Sequence, residues 1–264
     1  MKLKIYQVDA FASKVFEGNP AAVCPLDEWL DDDILQKIAE ENNLSETAFF
    51  VLCESEIQLR WFTPLEEVDL CGHATLASAH VLYKHLGYNK AQINFQTKSG
   101  QLIVTPHGSG FSMDFPASLP TELTTDIPNN LINGLCGVKP KEIMAAFDYI
   151  IVLSSEEEVK NLNPDFSKWL NIGLRGVVVT AQGDDVDVDF VSRCFFPKLR
   201  VNEDPTTGSA HCELTPYWAG MLNKNMLTAR QISMRSGHVL CELNKERVIL
   251  TGNSIDYMSG EITI

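Results

Sequence analysis

Hydrophobic and polar positions along the first half of the chain follow two periods, one typical of strands and one typical of helices. Residues 2–11 and 19–24 alternate or run apolar around a Gly18-Asn19-Pro20 turn, which predicts two paired strands. Residues 31–43 begin with aspartates, continue with an apolar stripe and end with two asparagines, which predicts a helix. Two strands, a helix and a strand meander are predicted next, at residues 46–52, 57–62, 69–87 and 93–115.

The second half repeats this order of elements. A strand, an acidic-start helix, two further strands and a long helix are predicted at residues 147–153, 154–162, 176–181, 188–196 and 208–222. The peptide RWFTP at 60–64 matches RCFFP at 193–197 in Arg, Phe and Pro. The pattern therefore predicts an α+β protein with two similar lobes, residues 1–116 and 117–264, with terminal strands able to cross between them. The Pro-, Asn- and Thr-rich stretch at 116–130 is expected to connect the lobes rather than to form a packed element.

Each of the two long helices begins at a glycine, Gly72 or Gly208. A helix N-terminus exposes unpaired N–H groups and a partial positive charge, and glycine lets a ligand approach the backbone closely. The two helix starts therefore suit a small carboxylated molecule. An ordinary helix-start glycine produces the same pattern, so both interpretations stay open at this point.

Composition narrows the possible partners. The 264 residues include 21 Lys plus Arg and 35 Asp plus Glu, a net charge of -14, which opposes binding to nucleic acid or anionic lipid. The seven cysteines form no CxxC pair and the histidines show no metal-ligand spacing, so we expect no disulfide framework, no metal and a reducing cytoplasm. No apolar run approaches the roughly 18 residues of a membrane span, and we expect no signal peptide and no membrane partner.

Five ordered peptides resemble the PhzF-like family of phenazine biosynthesis, within the diaminopimelate epimerase-like superfamily. They are GNPAAVC (18–24), NLSETAFF (43–50), LRWFTPLEEVDLCGHATLASA (59–79), VSRCFFP (191–197) and EDPTTGSAH (203–211). The resemblance implies two pseudo-symmetric lobes, each a barrel-like mixed sheet wrapped around a central helix, with the active site in the cleft between them. It also implies a homodimer and chemistry without a cofactor.

The resemblance also assigns site residues. Glu46 is implied as the general acid/base, and His73 and Asp204 as further catalytic residues of the cleft. Substrate binding is implied for Cys71, Gly72, Ala74, Gly208 and Ser209. From local sequence alone, Glu46 also fits an exposed loop glutamate, and His73 also fits a solvated helix start.

Epimerase relatives carry two opposing cysteines, one at each helix start. Here Cys71 stands at the first position and Thr207 at the second. A mechanism with two thiols would therefore lack its second thiol, and a threonine hydroxyl is too weak an acid to replace it. Cys212 lies one turn into the later helix and is expected to pack inward.

The predicted function is therefore that of an isomerase that moves a proton between carbons of a small carboxylic acid. It resembles the dihydro-hydroxyanthranilate isomerase of phenazine biosynthesis. Two alternatives remain: a one-thiol amino-acid racemase or epimerase that uses Cys71, and a non-catalytic binder of a metabolite or protein on the same fold.

Overall fold

The computed structural model describes residues 1–53 and 56–264 and divides into two compact units. Residues 1–114 and 251–264 form the first unit, and residues 115–250 form the second. The elements of the first unit are β1 (Lys2–Ala10), β2 (Asn19–Leu26), α1 (Asp32–Asn42), β3 (Glu46–Leu52), β4 (Ile57–Phe62), β5 (Glu67–Val68), α2 (Gly72–His85), β6 (Ile93–Thr97), β7 (Gly100–His107), β8 (Gly110–Pro116) and β18 (Ser254–Thr263).

The second unit contains the intervening strands and helices. They are β9 (Thr121–Glu122), α3 (Asn129–Asn133), β10 (Glu142–Ala145), β11 (Tyr149–Val152), α4 (Glu156–Asn161), α5 (Phe166–Trp169), β12 (Val177–Gln182), β13 (Phe190–Phe196), β14 (Val201–Asp204), α6 (Gly208–Leu222), β15 (Met226–Gln231), β16 (Gly237–Asn244) and β17 (Arg247–Gly252). Among residues 1–53 and 56–264, no helix combines the length and the apolar character that a membrane crossing needs.

Both units share one strand-pairing pattern. In the first unit β1 pairs with β2 antiparallel, β2 with β3 parallel, β3 with β4 antiparallel, β4 with β6 parallel and β6 with β7 antiparallel. Strands β10, β11, β12, β13, β15 and β16 repeat these orientations in the second unit. The repeat seen in the sequence is therefore a repeat of mixed sheets.

A buried helix lies against each sheet. Every residue of α2 from His73 to Leu82 is buried, and this helix contacts β1, β2, β3 and β18. Helix α6 is buried over most of its length and contacts β15 and β16. Because both helices are buried on nearly every side, neither helix has a face of charged residues.

Helix α6 continues through Pro216, which has no backbone N–H to donate to the carbonyl of Cys212. That carbonyl accepts a hydrogen bond from the Ser118 N–H at 3.0 Å instead. The helix therefore keeps its buried carbonyl paired despite the proline.

The stretch at 116–130 is not the plain connection that its composition indicated, and that prediction was wrong in part. Strand β9 within it pairs antiparallel with β10, and Leu123 donates its N–H to the Ile143 carbonyl at 2.8 Å. Leu123 and Ile127 also pack against the core of the second unit. Two apolar side chains in a polar stretch are too few to produce a periodic hydrophobic pattern. They nevertheless hold the stretch against the core of the second unit.

Candidate active site

The first unit places a carboxylate beside an imidazole. Glu46 is the first residue of β3, and His73 is the second residue of α2. Glu46 Oε2 and His73 Nε2 lie 3.1 Å apart, and the two side chains are 19% and 6% exposed. Apart from this contact, neither atom has a hydrogen-bond partner within the described chain. Both atoms therefore keep bonding capacity for a bound molecule.

Asn19 orients the His73 ring from its other side. Asn19 is buried at the start of β2, and its Nδ2 lies 3.3 Å from His73 Nδ1. The parallel pairing of β2 with β3 sets Ala21 opposite Glu46, which brings the start of β2 to the site. Because an amide N–H donates, Nδ1 accepts, and the neutral ring carries its proton on Nε2, facing Glu46.

Cys71 lies next to the same ring as a buried thiol. Its Sγ is 3.5 Å from His73 Nδ1. Burial first, and the Glu46 carboxylate second, raise the pKa of Cys71 to about 11, so the group is a thiol at neutral pH and a poor base. Cys212 is 8% exposed, and burial raises the pKa of its thiol as well.

The pKa of His73 reflects opposing influences. Burial disfavours the imidazolium, but the neighbouring Cys71 and Glu46 favour it, and the pKa lies well above 6.5.

In the second unit, Asp204 and Thr207 are joined where β14 leads into α6. The Thr207 hydroxyl donates to Asp204 Oδ2. Gln231, which is fully buried at the end of β15, accepts from the Thr207 N–H at 2.8 Å and donates to the Asp204 carbonyl at 2.7 Å. Sequence analysis did not identify Gln231, because the parallel pairing of β13 with β15 alone brings it to this loop.

Ser209, the second residue of α6, contacts a charged network that the sequence also did not reveal. Arg175 Nη2 donates to Ser209 Oγ at 3.0 Å, and Arg175 also forms a two-pronged ion pair with Asp148. Asp148 donates its backbone N–H to Glu213 Oε2 at 3.3 Å. Asp148 and Glu213 are both fully buried, and burial followed by the charge of Asp148 raises the pKa of Glu213 to about 8.

The helix starts have the predicted form. Helix α2 begins at Gly72 and α6 at Gly208, each after an extended residue whose side chain makes no N-cap hydrogen bond. Ala74 is fully buried. The first unit thus brings together Glu46 with residues 71–74, and the second unit brings together Asp204 with residues 207–209.

Two groups in the described part of the chain bring three possible metal ligands within 4.8 Å. They are Glu46, Cys71 and His73, and His80, His85 and Asp256. In the second group the Lys84 ammonium lies 2.8 Å from Asp256 Oδ2. The expectation of no metal stays a prediction.

The family model described as phenazine biosynthesis-like protein matches residues 8–260. This chain belongs to that family. An uncharacterized isomerase of Pseudomonas aeruginosa is 50% identical to this chain over 99% of each chain. A PhzF family structure from Enterococcus faecalis is 47% identical over 100% of each chain, with a TM-score of 0.95.

A structure of a predicted epimerase from Pseudomonas aeruginosa shares the fold alone, with a TM-score of 0.73 at 21% identity over 99% of each chain. The PhzF-like resemblance and the α+β, epimerase-like fold are thereby confirmed. The names of the relatives identify the family as one of isomerases.

Proposed function

We propose that this protein is a cofactor-independent isomerase that removes a proton from one carbon of a small carboxylic acid and returns it to another. Glu46 acts as the general acid/base. The observation that carries the proposal is the 3.1 Å approach of Glu46 Oε2 and His73 Nε2, two buried atoms without other hydrogen-bond partners in the described residues. Membership of a family whose relatives are named isomerases supports the reaction class.

The reaction requires only proton transfer. The Glu46 carboxylate takes a proton from a carbon next to an activating group, and the electron pair of the C–H bond moves onto the substrate. The Nε2–H of His73 then stabilises the charge that develops. The Glu46 carboxylic acid returns the proton to a second carbon, so the substrate is neither oxidised nor reduced.

The remaining site residues bind substrate in this proposal. The Asp204 carboxylate, held by Thr207, contacts an amino or hydroxyl group of the substrate. Backbone N–H groups at Gly72, Ala74 and Gly208 bind carboxylate oxygens, together with Ser209. Cys71 lines the same site.

A one-thiol racemase is the competing enzyme, since the Cys71 Sγ lies only 3.5 Å from the His73 ring. The raised pKa of that thiol disfavours it as a base. The two enzymes differ in which substitution removes activity: Glu46→Gln for the carboxylate scheme, Cys71→Ser for the thiol scheme.

Proton NMR in D2O tests the proposal. Dihydro-hydroxyanthranilate, diaminopimelate and proline are each incubated with wild type, Glu46→Gln, Cys71→Ser and the exposed control Glu40→Gln. We expect deuterium to enter a carbon of one compound with wild type, Cys71→Ser and Glu40→Gln, and a loss of at least a hundredfold in rate with Glu46→Gln. Exchange that survives Glu46→Gln contradicts the carboxylate scheme, and the absence of exchange in every compound favours a binder.

We also propose that the protein is a cytoplasmic homodimer. All seven cysteines are free, which supports a reducing compartment. Light scattering coupled to size exclusion tests the assembly, with twice the mass of one chain as the expected result.

A further inference from the structure

Two imidazoles and a carboxylate meet near the end of α2, at the opposite end of the helix from His73. His80 lies in the second half of α2, His85 is its last residue, and Asp256 is the third residue of β18. His80 Nε2 and His85 Nε2 lie 2.9 Å and 3.0 Å from the same atom, Asp256 Oδ1. The three side chains therefore converge on one point.

The neighbouring strands hold these side chains in place. The His85 ring stacks on the Tyr6 ring of β1, with 4.6 Å between the ring centres. The register between β18 and β1 shifts directly after Asp256, which leaves Tyr257 without an opposite residue. Such a bulge re-aims the neighbouring side chain, and bulges are frequent next to active sites. Three elements of the first unit thus build the cluster.

The separations within the cluster suit a small metal ion. Two ligand atoms that each lie about 2.0 to 2.1 Å from a tetrahedral zinc ion are about 3.3 Å apart. The two nitrogen–oxygen distances, 2.9 Å and 3.0 Å, are only slightly shorter. All three possible ligand atoms lie within 4.8 Å of one another. Small movements of the side chains would therefore admit the ion.

The donor atoms determine which class of cation fits. Imidazole nitrogen is a ligand for zinc, copper, iron and nickel, whereas calcium and magnesium take oxygen ligands. Two imidazoles, one carboxylate and one position left for water form a common tetrahedral arrangement around zinc. The Asp256 carboxylate also supplies negative charge for a divalent cation. Zinc is therefore the cation that this set of donors suits best.

Lys84 contacts the same carboxylate but uses its other oxygen. The Lys84 ammonium lies 2.8 Å from Asp256 Oδ2, whereas both imidazoles face Oδ1. The Lys84 side chain is 56% exposed, so water screens its charge. Lys84 therefore weakens the attraction for a cation without taking a ligand from it.

We propose that His80, His85 and Asp256 form a zinc site that joins the end of α2 to β18. The two Nε2 atoms and Asp256 Oδ1 bind the ion, and a water molecule takes the fourth position. The side chains of His85 and Asp256 are 25% and 30% exposed, which gives the ion a path from solvent.

This site is separate from the proposed proton transfer and does not depend on it. The rise of an α-helix places His80 roughly 10 Å from His73 along α2. The ion would stabilise the first unit, because it binds residues that only the folded chain brings together. Spacing along the sequence could not indicate the site, since 171 residues separate His85 from Asp256. The proposal thus departs from the expectation of no metal.

Calorimetric titration of metal-free protein with zinc chloride tests the site. We expect wild type to bind zinc, and His85→Gln and Asp256→Asn each to weaken this binding at least roughly tenfold. Loss of a ligand should cost no less than loss of a second-shell partner, which costs about ten- to a hundredfold. Zinc should also raise the midpoint of thermal unfolding of wild type more than that of His85→Gln.

Two control variants should bind zinc as wild type does. His107→Gln removes an exposed histidine at the end of β7. Cys71→Ser removes one member of the other group of possible ligands, which also contains Glu46 and His73. Circular dichroism checks the fold of each variant.

Three results would overturn the zinc site. The first is failure of wild type to bind zinc. The second is equal binding by wild type and His85→Gln, which would place the ion elsewhere, for example at an exposed thiol. The third is loss of binding in folded Cys71→Ser, which would place the ion beside Glu46 and His73.

Discussion

Gln231 joins the two ends of the loop at 204–207 through one buried amide. Replacing it with alanine leaves the Thr207 N–H and the Asp204 carbonyl without this partner. We therefore expect Gln231→Ala to lower the free energy of unfolding by about 3 kcal/mol, which urea unfolding measures. The exposed Gln101→Ala should change it by less than about 0.5 kcal/mol, and equal effects would contradict the role of the amide.

Glu213 gives the stability of the second unit a pH dependence. Burial and Asp148 raise its pKa from 4.5 to about 8 in the folded protein, so between these values the folded state holds a proton that the unfolded state releases. The contribution of this group to stability therefore falls as pH rises through that window and is level outside it.

Glu213→Gln should remove this dependence. We expect the free energy of unfolding of the variant, minus that of wild type, to rise by on the order of 5 kcal/mol between about pH 4.5 and about pH 8. Urea unfolding across this range measures the difference. A difference that is flat or falls with pH would show that Glu213 is ionised in the folded protein.

Some residues of the candidate site could be predicted from the sequence, and others could not. Glu46 and His73 were identified through the family resemblance, and the structure places their side chains together. Arg175 lies 34 residues from Ser209, and Gln231 lies 24 residues from Thr207, with no local pattern to connect them. Tertiary packing creates both contacts, so periodicity along the chain could not predict them.

At the level of the elements, Pro216 is less costly than its place within α6 indicates. The carbonyl that it leaves free already accepts from the Ser118 N–H. We therefore expect Pro216→Ala to stabilise the protein by less than 1 kcal/mol, far below the roughly 3 kcal/mol that an interior proline typically costs. Thermal unfolding measures this, and a gain near the full penalty would contradict the compensation.

The long helices were predictable and the short strands were not. Glycine after an extended residue defines the starts of α2 and α6, and the uncharged run from Ala74 to Tyr83 predicts the burial of α2. Strand β9 has only two residues and no apolar alternation, so its pairing with β10 depends on the neighbouring Leu123 docking into the core. Such elements depend on tertiary contacts that composition does not encode.

At the scale of the whole molecule, the first unit is made from both ends of this sequence. Strand β18 pairs with β1 along the whole of Lys2–Ala10. Deleting residues 251–264 should therefore expose the amides of β1 to hydrogen exchange, while β12 and β13 keep their protection because their pairing lies within residues 115–250. Equal loss of protection in both places would contradict the division into two units.

The pairing of β18 with β1 also has a consequence for the order of events on the ribosome. Translation completes the contiguous second unit before residues 254–263 emerge, while β1 waits for its partner. The unit that contains the first 114 residues is therefore the last to complete its sheet. In this order, the unit that contains Glu46 and His73 is completed after the unit that contains Arg175 and Ser209.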